Sequence, residues 1–491
     1  MAGSSSRAAR SWRSNSRRRA IAGSPRARRP GQPREPEPVT ETTTSLAPAE
    51  AYADAFEAVR RTSPAPAGLV DLRRRAFQRF TALGLPTTKL ERWRFTNIAP
   101  IAGTAFTLAT EADRAAAIET AGPHGVVPNG ITFINGTYVA PASHLEGLPS
   151  GVEVRSLADA VASNDEETLA AVEAHLGADA PIDGEALTAL NTALLRDAAI
   201  VRIPANMVVD EPIQLLWVTV PPADGTPVMT HPRVLLLVGE NAQVRVIESY
   251  GGGDGAPYFS NAVTEAVAGP NAVVDHYKVV REGAAAYHIG SMHIRCERSA
   301  TFSSHAVTLG GAIVRNDAHA VLDGEGVECT LNGLYLADGE RLIDNHTTIN
   351  HAKPHCDSHE LYKGILDGRA RAVFNGKIIV AIDAQKTDAK QTNKALLLSE
   401  DAQINTKPEL EIFADDVKCT HGATVGQLDE DAMFYLRARG LGLEQARNVL
   451  IHAFASDLLN RIRVEPIRDQ LDDLLLAQLP GSGGGSFHVT P

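Results

Sequence analysis

The sequence predicts a mainly β fold, in which a parallel β-helix (solenoid) core lies between an N-terminal α/β helical region and a C-terminal helical domain. Short segments with alternating apolar residues follow one another from about residue 199. Small turn motifs precede many of them, and Ala242, Ala272, Ala300 and Val327 mark steps of 30, 28 and 27 residues. Steps of this size are typical of stacked repeats. A large antiparallel sandwich is the alternative.

Length and composition indicate a globular chain of two to four domains. The chain has 491 residues, of which 44% are hydrophobic and 22% charged. No apolar run reaches the roughly 18 residues of a membrane span, so no membrane partner is expected. Four cysteines without a CxxC pair argue against a disulfide framework and favour a reducing compartment, and we expect the cytoplasm.

Charge is distributed unevenly along the chain. The first 38 residues contain ten Arg and two Glu, whereas the remainder has 37 basic and 57 acidic residues. An acidic body repels nucleic-acid phosphate, so no nucleic-acid partner is expected. Residues 1–46 are predicted to be a disordered Arg/Ser/Pro-rich extension. A start assigned too early or a plastid transit peptide is the alternative, and the latter would place the protein in the plastid.

Residues 47–198 are predicted to be an N-terminal helical domain with short strands. Ala-rich periodicity indicates two helices before residue 85. Strands are expected at Ile131–Val139, where Asn135-Gly136 forms a hairpin turn, and at Gly151–Leu157. Helices are expected at Glu166–Leu176 and Ala186–Arg196.

Residues 199–425 are predicted to form the parallel β-helix. Parallel stacking gives each turn a neighbour on both sides and buries a continuous apolar spine. The turn motif after the one at Val327 lies about 43 residues further on, at Ala370. This longer step predicts an insertion or a longer turn.

Residues 426–479 are predicted to be a C-terminal helical domain, followed by a flexible Gly/Ser-rich tail at residues 480–491. A second helix is expected over Pro466–Leu479. The first helix has an apolar face at steps of three and four residues, comprising Leu443, Ala446, Leu450, Phe454, Leu458 and Ile462.

The strongest candidate site lies where the strands give way to helices. Cys419 and His421 are two residues apart there, and both residue types bind borderline metals. Two ligands cannot complete a tetrahedral site, so another chain would have to supply the rest. The alternative is that Cys419 is a small buried apolar residue and His421 an ordinary polar residue.

A second cluster of candidate ligands lies between residues 346 and 359. This cluster is either a metal site or a set of hydrogen-bonded histidines at the edge of a solenoid turn. The sequence favours the hydrogen-bonded histidines. Its members are His346, His351, His355, Cys356 and His359. The chain has no P-loop motif for ATP, no HExxH and no GxSxG, so nothing in it supports hydrolysis.

Three stretches together resemble the SufB/SufD family of the SUF iron–sulfur cluster assembly system. The resemblance spans roughly Ala47–Leu479 and is closer to the SufD branch. SufB-like chains carry Glu where Gly422 follows His421, and they carry a cysteine upstream of Cys419 that is missing here. The stretches are GLPTTKLERWRFTNI, HELYKGILDGRARAVFNGKIIV, and the long block from QKTDAKQTNK to FYLRARGL.

The resemblance implies a right-handed parallel β-helix that pairs with SufB through its end. It also implies docking of SufC, an ABC-type ATPase, on the helices after Asp429, with Tyr435, Arg437 and Arg439 as further contact candidates. ATP hydrolysis would come from SufC, and this chain would be a non-catalytic subunit supporting iron acquisition and cluster assembly.

The site implied by the resemblance is shared. His421 would face a nascent cluster at the interface with SufB, and Cys419 is the weaker ligand candidate. The chain would hold no cofactor alone. Iron or an iron–sulfur cluster would be transient at the shared interface, and a flavin is possible in the complex. The alternatives are a β-helix carbohydrate-active enzyme and a purely structural interaction subunit.

Overall fold

The computed structural model describes residues 49–120 and 127–479. The predicted N-terminal extension at 1–46 and the tail at 480–491 lie outside these residues. The helices are α1 (Ala49–Thr62), α2 (Ala67–Leu83), α3 (Ala99–Ala102), α4 (Glu111–Thr120), α5 (Leu157–Ser163), α6 (Glu166–His175), α7 (Ala186–Ala193), α8 (Glu430–Ala438), α9 (Leu443–Leu459) and α10 (Glu465–Gln478). Within the described ranges, no helix is long and apolar enough to cross a membrane.

Strands dominate the middle of the chain. Their bounds are β1 (Thr107–Leu108), β2 (Asn129–Ile134), β3 (Thr137–Tyr138), β4 (Glu153–Ser156), β5 (Ala199–Ile203), β6 (Ile213–Thr219), β7 (Val228–Thr230), β8 (Arg233–Val238), β9 (Gln243–Gly252), β10 (Tyr258–Ala268), β11 (Val273–Arg281), β12 (Tyr287–Cys296), β13 (Thr301–Thr308), β14 (Ile313–Leu322), β15 (Glu328–Ala337), β16 (Leu342–His351), β17 (Asp357–Leu366), β18 (Arg371–Val380), β19 (Asp388–Leu397), β20 (Gln403–Ile412) and β21 (Lys418–Gly426).

These strands form the predicted parallel solenoid. Each turn supplies one strand to a first sheet, ordered β20-β18-β16-β14-β12-β10-β8-β5-β4, and one to a second, ordered β21-β19-β17-β15-β13-β11-β9-β6-β2-β3. All neighbours from β5 and β6 onward pair in parallel, whereas β4 and β3 pair antiparallel at the far end. The β2–β3 hairpin turns at Asn135 and Gly136, both with positive φ, as the sequence predicted.

The prediction of an insertion or a longer turn after Val327 was wrong. Successive strand starts in the second sheet, at Val273, Thr301, Glu328, Asp357 and Asp388, are 27 to 31 residues apart. Cys356 occupies the turn position equivalent to Val327, because its carbonyl accepts from the next turn as the carbonyl of Val327 does. Ala370 precedes β18, a strand of the first sheet, so the turn motif at Ala370 lies on the opposite side of the solenoid from the one at Val327.

The solenoid interior combines apolar rows with complementary large and small residues. Tyr335 lies in register with Gly364, and Tyr362 lies in register with Gly333. A Cβ at either glycine would overlap the neighbouring tyrosine ring. Because every inward row is shared by adjacent turns, the ring of one turn fills the space that a glycine leaves in the next.

The N-terminal helices and the motif at residues 84–98 cover the outer face of the first sheet. The buried Trp93 ring stacks on the Arg315 guanidinium at 3.9 Å. Thr96 donates a 2.5 Å hydrogen bond to Asp344, which also accepts from Arg315 at 2.6 Å. Paired and hydrogen-bonded in this way, the buried charges hold the motif against the sheet.

The C-terminal helices run back over the outer face of the second sheet. Lys363 Nζ on β17 contacts the Phe454 carbonyl of α9 at 2.9 Å, and Gln478 of α10 reaches the Leu309 carbonyl at 3.1 Å. The predicted apolar face of α9 is only partly buried: the side chain of Leu443 is exposed, and Leu450 and Phe454 are half-buried. The buried face consists of Ala446, Ile451, Ala455, Leu458 and Leu459.

The two ends of the solenoid differ. One end carries the antiparallel strands β3 and β4. At the other end, β20 and β21 are the last strands of their sheets, and in the described residues no strand pairs beyond them. The residues of β20 and β21 are largely half-buried or exposed, unlike those of the strands beneath. We call this end, formed by β20 and β21, the open end.

Candidate functional site

Strand β21 places Cys419 and His421 together at the open end. Cys419 pairs in register with Ala389 and packs against the apolar cluster that contains Ala389. Because alternate residues of a strand share a face, His421 points to the same inward side as Cys419. His421 is exposed, since no further turn of the described chain covers it. The two predicted ligands therefore lie side by side, facing the end of the solenoid.

The two side chains are not equally available. Cys419 is half-buried, and burial together with the negative charge of Asp388 raises the pKa of its thiol. A raised pKa keeps a thiol protonated, and the thiolate is the form that binds metals. In this chain alone, His421 is therefore the better candidate ligand.

A row of polar side chains continues below His421. His421 pairs in register with Gln391, and Gln391 pairs with Glu360. Both are buried, and Gln391 Nε2 donates a 2.6 Å hydrogen bond to Glu360 Oε2. The sequence reasoning missed this row. Its signal was the spacing of 31 and 30 residues between three polar residues at inward positions.

The second predicted cluster is divided among different environments. His351 and Cys356 point into the solenoid, where His351 Nε2 lies 2.8 Å from Ser358 Oγ. His346 contacts Asp344 on the outer face of the first sheet, while His355 sits exposed in a turn with positive φ and His359 is exposed on β17. In the described part of the chain, no group of three or more His, Cys, Asp or Glu is placed to hold a metal.

Helix α8 follows the open end directly, and Asp429 has a structural task there. Its Oδ1 accepts from the backbone N–H groups of Asp431 and Ala432 at 2.9 and 3.0 Å, so it caps the helix. Arg439 lies over the Tyr435 ring at 3.7 Å. Asp429 is therefore occupied by its own helix, whereas Tyr435 and Arg439 form an exposed cation–π pair.

Arg437 lines a groove of about 510 Å³ between α8, the start of α9 and the loop after β19. No residue of α8 is buried, and Phe434 on it is 75% exposed. Leu443 and Val449 of α9 are also exposed. The sequence pattern did not single out Phe434, and it placed Leu443 on the apolar face of the first C-terminal helix. The sequence signal for this surface was the pair Phe434-Tyr435, which lies on a short helix that begins after the cap Asp429 and has only a weak apolar face. We call these exposed residues (Phe434, Tyr435, Leu443 and Val449) the α8 surface.

Comparison with known proteins is consistent along most of the chain. Residues 47–215 match the model of the SufBD protein N-terminal region. Residues 222–454 match the SufBD core domain of SUF-system iron–sulfur cluster assembly. The motif at residues 84–98 and both predicted ligands therefore fall inside matched regions.

Individual relatives agree with these models. An iron–sulfur cluster assembly SufBD family protein of Synechocystis sp. is 37% identical over 82% of this chain and 89% of its own length. The iron–sulfur cluster assembly protein SufD of Escherichia coli is 32% identical over 82% of this chain and 92% of its own. A chloroplastic protein of Arabidopsis thaliana, ABCI7, is 33% identical over 58% of this chain and 62% of its own. The solenoid, the two family models and these relatives agree: the chain belongs to the SufBD family of iron–sulfur cluster assembly proteins.

Proposed function

We propose that the chain is a non-catalytic subunit of a SUF scaffold complex. It pairs with a SufB-type paralogue through the open end and presents His421 to iron or a nascent cluster at the shared interface. One observation carries this proposal: His421 and Cys419 lie on an edge strand that pairs on one side only, and the described residues supply no further ligands to complete a metal site there. The missing ligands would come from the partner.

The open end supports pairing with another solenoid. Exposed edge strands are templates for another chain, and native proteins usually shield them. Here β20 and β21 are ten and nine residues long, and Phe413 beside them is 62% exposed. A paralogue with the same turn spacing would continue both sheets and cover the exposed apolar side chains.

The α8 surface supports docking of the ATPase. Phe434 and Tyr435 project from a helix that begins four residues after β21. Exposed aromatic residues with a neighbouring arginine are typical of interface hot spots. A partner that moves α8 would therefore also act on the strand that carries His421. ATP hydrolysis belongs to this SufC-type partner.

The cargo is iron or an iron–sulfur cluster, held transiently between two chains. The chain alone would hold no cofactor, and a flavin would bind only in the complex. Imidazole replaces thiolate in some iron–sulfur centres, so a histidine from this chain suits a site whose thiolates come from the partner. We propose a cytoplasmic location, with the plastid as the alternative suggested by the chloroplastic relative.

The test is cluster formation by the complex carrying His421→Ala. The chain is co-purified anaerobically with the SufB- and SufC-type partners, and iron and sulfide are measured per complex. We expect the variant to assemble with its partners but to form clusters at a rate reduced by about 10-fold or more. His359→Ala, which removes an exposed histidine from the outer face of β17, is the matched control. Normal cluster formation by His421→Ala would contradict the proposed role.

A further inference from the structure

We propose that Gln391, held in place by Glu360, is the positioning residue for His421. Its amide oxygen accepts the N–H of one imidazole nitrogen, which leaves the other nitrogen free to bind iron beyond the open end. The inference rests on the proposed function in one respect, because it takes His421 to be the ligand. The arrangement of the three side chains is a separate claim about this chain.

The strand register brings the three residues into one row. Glu360, Gln391 and His421 occupy the same position of β17, β19 and β21. Neighbouring strands are separated by about 4.8 Å, so side chains of one row are in contact range. Glu360 and Gln391 are 3% and 1% exposed, so the row leads from the interior of the solenoid to its open end.

The hydrogen bonds of Gln391 leave one group unused. Its Nε2 donates to Glu360 Oε2, while its Oε1 is buried and has no partner among the residues that the structure describes. An unsatisfied buried acceptor is costly, so Oε1 calls for a hydrogen-bond donor. The amide nitrogen and oxygen diverge from one carbon. Because Nε2 is hydrogen-bonded to Glu360, Oε1 points away from Glu360. The next side chain of the row on that side is His421.

Glu360 decides which way the amide faces. In its ionised form the Glu360 carboxylate only accepts hydrogen bonds, so in that state it selects the NH₂ group of Gln391 and not the carbonyl. Metal-binding histidines usually donate their second ring N–H to a carbonyl or carboxylate, which fixes the tautomer and the ring orientation. Glu360, Gln391 and His421 together would form such a relay of hydrogen bonds.

Gly376, on the opposite sheet, makes room for this arrangement. A Cβ at position 376 would overlap the Nε2 and Cδ atoms of Gln391. The Gln391 side chain therefore extends across the interior into space that the glycine leaves, and its amide has little freedom to move. Space, charge and register all restrict Gln391 to one orientation.

The direct test is the tautomer of His421 in the full-length chain. The histidines are labelled with ¹⁵N, and the His421 signals are assigned by their loss in His421→Ala. We expect one tautomer to dominate in the native sequence and a mixture in Gln391→Leu. Asn393→Leu, an inward residue two positions along the same strand, is the control and should leave the His421 signals unchanged. An unchanged tautomer in Gln391→Leu would overturn the inference.

Glu360→Gln is the second variant, because it keeps the size of the side chain and is expected to fold even if Gln391→Leu does not. Two facing amides can hydrogen-bond in either orientation, so Gln391 would no longer be held with its oxygen towards His421. We therefore expect a mixture of His421 tautomers in this variant too. An unchanged spectrum would overturn the inference. In the assembled complex, both variants should slow cluster formation by about 10-fold while all partners still co-purify. If His421→Ala forms clusters normally, the proposed function fails, while the NMR result still decides the positioning.

Discussion

Gln391 Nε2 and Glu360 Oε2 are joined by a 2.6 Å hydrogen bond inside the solenoid, in the same inward row as His421. Most other inward positions of these turns carry Ala, Val, Ile, Leu or aromatic side chains. Burying a carboxyl group there costs stability, and burial raises the pKa of Glu360 to about 7. Glu360 and Gln391 thus lie among mostly apolar neighbours in these turns, and their row ends at the proposed ligand.

Replacing Glu360 with Gln should change how stability depends on pH. Burial raises the Glu360 pKa from 4.5 to about 7 in the folded chain. Between these values the folded state holds a proton that the unfolded state has lost, so stability falls as pH rises through this window. The loss is about 3 kcal/mol when complete, and Glu360→Gln lacks it. Between pH 4.5 and about pH 8, the free energy of unfolding of Glu360→Gln should therefore rise by about this amount relative to that of the native chain.

Urea unfolding of both chains at the two pH values measures this difference. Glu411→Gln, which removes an exposed carboxylate from the outer side of β20, is the control and should follow the native sequence. Equal pH dependence of the native chain and Glu360→Gln would mean that Glu360 titrates normally.

Gly364→Ala should destabilise the solenoid. A Cβ at this position would overlap the ring of Tyr335, which is fully buried and cannot move without disturbing the neighbouring turn. Overpacking of this kind costs about 1–3 kcal/mol. Gly426→Ala is the matched control, since no described residue lies within contact distance of a Cβ there. Thermal and urea unfolding should separate the two variants, and equal midpoints would contradict the packing argument.

Phe434→Ala should weaken ATPase docking without changing the stability of the chain. The side chain is 75% exposed, so its removal leaves no cavity in the folded protein. Truncating a central aromatic residue of an interface typically costs 2 kcal/mol or more of binding free energy, about 30-fold in affinity. Calorimetric titration with the ATPase measures the effect. Val208→Ala, another exposed apolar residue remote from α8 in sequence, should bind normally, and unchanged binding by Phe434→Ala would rule out this contact.

Asp429→Ala should loosen α8, because its carboxylate accepts two of the unpaired backbone N–H groups at the start of the helix. Loss of such a cap costs about 1 kcal/mol. ATPase affinity should fall because the helix frays, and Asp429→Asn, which keeps an oxygen acceptor, should restore most of it. If Asn binds as weakly as Ala, the charge of Asp429 contacts the partner directly, and the capping explanation is wrong.

The repeat and the alternation of side chains were readable in the sequence because each turn repeats its own geometry. The steps of 30, 28 and 27 residues correspond to real turns, and the CxH pair stands on the last strand. The step to Ala370 misled because turn motifs occur on both sides of the solenoid, and only the strand pairing tells the two sides apart. The histidines between His346 and His359 looked like one cluster, but side-chain alternation puts His346 and His351 on opposite faces of β16, and the turn at Pro354 places His359 on a strand of the other sheet.

By itself, the sequence determined the family, the parallel solenoid and the Cys419–His421 pair of the candidate site, since all three depend on local pattern and motif. The tertiary structure decided what lies next to what. Stacking brought Glu360 and Gln391 beneath His421 across 61 residues of chain. It also turned α9 so that Ile451 and Ala455, not Leu443, face the second sheet. Such contacts follow from register and packing between distant segments, which no local pattern encodes.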